Sequence, residues 1–117
     1  MDAVFVYGTL KPGRLRWPAL ERFTTPGSAR ETTVRGRLWA TPHGWPAMTA
    51  GDDDVPGVVV DLDASRSAEA LARLDAIEGV AAGLFERVRM LTAGGSEAWT
   101  YRWPGSTQGF TPVHGAW

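Results

Sequence analysis

Apolar residues arrive in short bursts along this chain, most of them too short for a helix. Residues 3–7, AVFVY, run unbroken until Gly8. A run of that length, β-branched and aromatic, predicts a buried strand. Residues 32–40, TTVRGRLWA, alternate loosely between apolar and polar and predict a second strand. The turn formers of TPHGWPAM come next, with a short strand expected at 47–49. AGDDDVPG, 50–57, reads as a solvated turn, and GVVVDLD, 57–63, as a further strand. FERVRMLT (85–92) and EAWTYRW (97–103), separated by AGGS, predict a hairpin with a Gly-Gly turn. The tail PGSTQGFTPVHGAW is expected to be mostly turn.

Two stretches carry the helical period instead. RWPALERF, 16–23, predicts a short helix with Pro18 in its first turn. SRSAEALARLDAIEG, 65–79, predicts a longer one, with Ser65 or Ser67 as its cap and Gly79 as its stop. Strands dominate and the longer helix falls between them. The expectation is a small α+β fold: one domain over residues 1–117, with a curled mixed β-sheet or barrel and flanking short helices.

Composition narrows the chemistry. A chain of 117 residues, 44% hydrophobic, can bury a substantial core. Twelve basic and thirteen acidic residues give a formal net charge of -1, which argues against a nucleic-acid or membrane-surface partner. All the basic residues but Lys11 are arginine. The absence of cysteine excludes disulfides, thiol catalysis and thiolate metal sites. No signal peptide or membrane span is apparent, so the expected location is cytoplasmic.

The loop after the first strand, Gly8 to Arg14, reads G-x-x-x-x-G-R. It stops short of the nucleotide-binding G-x-x-x-x-G-K-[ST]. Arg14 and Leu15 replace the lysine and the Mg²⁺-binding hydroxyl, and Pro12 removes a backbone donor. Two readings stay open: a plain turn with Gly8 and Gly13 at unusual φ, or a set of N–H groups holding a smaller anion such as a carboxylate.

On the longer helix, Leu71 and Leu74 mark the apolar stripe. Glu78 falls about 20° from Leu71 around the axis, on the buried edge. A carboxylate there either swings to water as the last turn frays, pairs with an arginine, or stays desolvated with a raised pKa suited to a general base. His43 and His114 have no ligand spacing, and no metal site is expected. Trp39 and Trp99 read as core or sheet-face residues; Trp45, Trp103 and Trp117 are candidate pocket walls.

Three segments together resemble the γ-glutamylcyclotransferase-like family: VYGTLKPG at the start, LDAIEGV at 74–80 and PVHGAW at the end. GRLWATPHGWPAM and VPGVVVDLD look like its middle strands, so the resemblance spans nearly the whole chain. It implies a γ-glutamyl cyclotransferase that needs no cofactor. The α-amine of a γ-glutamyl amide attacks its own γ-carbonyl, releasing 5-oxoproline and a free amine. The implied substrate-binding loop is Tyr7, Gly8, Thr9 and Leu10, and the implied acid/base residue is Glu78. The implied partner is a small-molecule γ-glutamyl substrate, with the protein a monomer or weak homodimer. Two departures stand out. Phe85 occupies a position where the family often has tyrosine, and the tail reads Gly115, Ala116, Trp117 where G-D-W is common. These departures motivate an alternative: a binding module of the same fold, for a γ-glutamyl-like ligand or a protein partner, without turnover.

Overall fold

The computed structural model describes residues 2–117. Six strands form one curled mixed sheet: β1 (Ala3–Val6), β2 (Arg30–Ala40), β3 (Pro46–Asp61), β4 (Glu86–Leu91), β5 (Glu97–Arg102) and β6 (Thr111–Val113). Two helices flank it, α1 (Trp17–Glu21) and α2 (Ser67–Ile77). The strand order is β4-β5-β1-β3-β2-β6, and β1 and β5 run parallel while the other neighbours run antiparallel. The α+β fold with a curled mixed sheet and short helices is the one expected.

Every residue of β1 is buried, because both faces of the sheet are covered at its centre. Val4 and Val6 pack with Leu20, Leu62, Leu71 and Leu74 beneath the helices. Phe5 faces the other way, into a cluster with Val34, Leu38, Met48, Val55 and Val59. This is the period-2 alternation of a strand between two apolar layers.

Three expectations need correcting. The acidic stretch 50–57 is not a free turn. It lies inside β3, one continuous strand from Pro46 to Asp61. β2 pairs Gly36 with Asp53 and then Arg37 with Thr49, so the extra residues bulge out between them. Asp53 and Asp54 are exposed and face Arg37 and Arg35 across the ladder, at 3.5 and 3.6 Å. Opposite charges across a strand pair let an acidic run stay in a strand.

The helix cap is also different. Neither Ser65 nor Ser67 caps α2, whose N-cap position is Arg66 with no side-chain cap bond; Asp63 instead caps the preceding 3₁₀ turn, Ala64–Arg66, accepting from the Ser65 N–H at 3.0 Å. Ser67 opens α2, and its hydroxyl donates to Asp2. Finally, the tail contains a strand. β6 pairs with β2, Leu38 opposite Val113. Its Pro112 is tolerated because β6 is an edge strand.

Candidate functional site

Where β1 ends, Tyr7 leads into a tight turn closed by the Lys11 N–H donating to the Gly8 carbonyl at 3.0 Å. That bond leaves the central N–H groups of Thr9 and Leu10 with no protein acceptor among the described residues. The turn is pinned further on, where Arg16 N–H donates to Thr9 O at 2.8 Å. Gly8 is required here for space, not for unusual φ. A Cβ at this position would come within 2.6 Å of the Pro46 ring at the start of β3. Gly13, by contrast, does adopt positive φ, at 79°.

The four loop residues do different jobs. Tyr7 is buried, and its hydroxyl is committed to the fold. It donates to Tyr101 O at 2.7 Å and accepts from Met48 N–H at 3.2 Å, tying β5 to β3 around the end of β1. Leu10 packs into the core beneath the helices. Gly8 and Thr9 present backbone. All four line one cavity of about 100 Å³.

Glu78 lines the same cavity. It is the residue at which α2 ends, its N–H still bonded to Leu74 O at 2.9 Å. Gly79 then takes a left-handed φ of 67° and turns the chain away. The helix therefore holds Glu78 on its inward edge, and the last turn does not fray outward. Glu78 is half-buried and makes no ion pair within bonding distance among the described residues. Burial pushes its carboxyl up from 4.5 to about 7, while the charge of Arg16 opposes the rise. Burial also pushes the Tyr7 hydroxyl up, and the Glu78 charge adds to that.

Of the rest of the wall, the sequence offers Trp45 as a candidate but does not point to Arg16 or Tyr101. Arg16 lines the cavity from the residue preceding α1, and Trp45 from the turn before β3. Trp45 packs against Phe85, ring centroids 5.7 Å apart, and Trp103 backs both at 6.0 and 5.5 Å. Tyr101 lines the cavity from β5, with its hydroxyl donating to Asp75 at 2.8 Å. His43 stacks on Trp45 at 5.3 Å. Trp117 is not part of the cavity; it packs on the other core cluster, under Arg14. Trp39 and Trp99 are half-buried, and Arg87 and Arg89 both lie over Trp99. Among the described residues no group of His, Asp and Glu could hold a metal ion, and no helix is long and apolar enough to cross a membrane.

The family model described as gamma-glutamyl cyclotransferase, AIG2-like, matches residues 4–117. The chain belongs to that family. Solved structures agree on the cyclotransferase-family fold. Protein PH0828 of Pyrococcus horikoshii superposes with a TM-score of 0.72 at 22% identity, over 97% of this chain and 86% of its own. Protein ytfP of Escherichia coli gives 0.62 at 25% identity, over 97% and 92%. A gamma-glutamyl cyclotransferase gives 0.56 at 20% identity, over 95% and 69%. No curated protein matches the chain significantly.

Proposed function

We propose that this member of the gamma-glutamyl cyclotransferase, AIG2-like family is itself a cyclotransferase acting on γ-glutamyl amines. The observation that carries the reading is one carboxylate, Glu78, held half-buried in the cavity that the loop Tyr7–Leu10 also lines. A binding module has no use for a charge kept out of water in this way. A general base does, because burial brings its pKa to about 7, near the working pH.

The reaction needs little beyond geometry. The α-amine and the γ-carbonyl belong to one molecule, so a cavity that folds the substrate supplies the effective concentration. Glu78 takes a proton from the α-ammonium, and the freed amine attacks the γ-carbon. A C–N bond forms and the carbonyl oxygen becomes an oxyanion. As the oxyanion collapses, the original amide C–N bond breaks and Glu78 returns its proton to the departing nitrogen. The ring nitrogen sheds its extra proton and the released amine takes one up, so none is consumed. The unpaired N–H groups of Thr9 and Leu10 hold an anionic oxygen of the substrate. Tyr7 serves by fixing the loop, since its hydroxyl is already bonded twice.

Trp45 and Leu84 also line the cavity and offer apolar surface to the substrate. The test is incubation with a panel of γ-glutamyl amines, scored for 5-oxoproline. Release from at least one supports the reading; a folded protein that releases none from any of them refutes it.

A further inference from the structure

Two charged side chains line the cavity, Arg16 and Glu78. The fold uses most of its arginines elsewhere. Arg30, Arg35, Arg37, Arg66, Arg87, Arg89 and Arg102 all pair with carboxylates. Arg14 and Arg22 lie over aromatic rings. Arg16 has neither kind of partner among the described residues, although its backbone is tied to the loop at Thr9. Arg16 and Glu78 both line this one cavity, and the guanidinium charge acts on the carboxyl.

A cavity with one cation and one anion matches a zwitterion. The head of a γ-glutamyl amine is one: an α-ammonium and an α-carboxylate on the same carbon. The ammonium belongs at Glu78, which must take its proton. The carboxylate, moved out of water, needs a partner of opposite charge. A guanidinium suits it, since its planar fork can bond both oxygens.

We propose that Arg16 binds the α-carboxylate of the γ-glutamyl group and so restricts the enzyme to γ-glutamyl amines of free glutamate. A γ-glutamyl link whose α-carboxyl is itself tied up in a peptide bond is then a poor substrate. This assignment rests on the cyclotransferase reading above.

The product offers a clean probe. Binding of 5-oxoproline and of its carboxamide is measured by calorimetry for the wild type, Arg16→Gln and Arg16→Lys, beside turnover of a γ-glutamyl amine and of its α-carboxamide. The wild type should prefer the acid in each pair, by about 10- to 100-fold, the range for a hydrogen-bonded charge pair. Arg16→Gln should lose that preference, and Arg16→Lys should recover part of it. Arg16 is exposed and unpartnered, so unfolding midpoints should match the wild type. A wild type that turns over substrate while Arg16→Gln keeps the full preference for the acid overturns the role of Arg16 alone. A wild type that neither turns over the amine nor binds 5-oxoproline overturns the cyclotransferase reading, and this proposal with it.

Discussion

Glu78 should cost the fold stability in the pH range where it is useful to catalysis. Its carboxyl titrates at 4.5 when the chain is unfolded and at about 7 in the folded protein, because burial disfavours the charge. Below 4.5 both states carry the proton and nothing is lost. Between 4.5 and 7 the folded protein keeps a proton that the unfolded chain has released, so unfolding becomes easier as pH rises. Above 7 both are charged and the full penalty remains, about 3 kcal/mol by the usual conversion of a pKa difference to free energy. Glu78→Gln keeps the size and the hydrogen bonds but never ionises. Urea unfolding of both proteins at pH 4 and pH 8 reads the difference, since every other titrating group is common to them. The variant should match the wild type at pH 4 and exceed it by about 2–3 kcal/mol at pH 8, roughly 10 °C in Tm. Equal stabilities at pH 8, or a gap unchanged between the two pH values, would refute the claim that Glu78 is held desolvated.

Three further outcomes follow from the same geometry. Activity should rise with pH through a midpoint near 7 as Glu78 loses its proton, and Glu78→Gln should lower kcat about 10²- to 10⁴-fold; steady-state kinetics across pH 5–9 checks both. Tyr7→Phe should destabilise by about 1–3 kcal/mol in urea unfolding, because the buried Met48 N–H and Tyr101 carbonyl lose their shared partner. Gly8→Ala should also destabilise, by about 1–3 kcal/mol, and should impair turnover, since its Cβ meets the Pro46 ring at 2.6 Å and the loop must shift.

The parts of this molecule legible in its sequence are the ones decided locally. The apolar run of β1 and the Gly-Gly hairpin are short-range signals. So is the direction of Glu78, which follows from helical period alone. What stayed hidden depends on residues distant in the chain. Asp52–Asp54 resemble a turn until Arg35 on β2 is placed opposite Asp54 and Arg37 reaches Asp53. The tail resembles loop until β2 offers it an edge. Trp45 could be offered as a pocket wall but Arg16 could not, because only the closed sheet brings the segment before α1 and the turn before β3 to one cavity. Tyr7 lines the cavity, and what the motif does not reveal is that its hydroxyl also braces β3 and β5. Phe85, at a position where the family often has tyrosine, is a buried wall against Trp45 and Trp103 and offers the cavity no hydroxyl.

The central claim is that the substrate's own amine, and not water, cleaves the γ-glutamyl bond. A single reaction run in H₂¹⁸O decides it, with a γ-glutamyl amine as substrate and mass spectrometry of the products. Intramolecular attack predicts 5-oxoproline carrying no ¹⁸O, formed in step with the free amine and slowed about 10²- to 10⁴-fold by Glu78→Gln. Glutamate labelled with ¹⁸O in its γ-carboxylate would contradict the account, because water would then be the nucleophile.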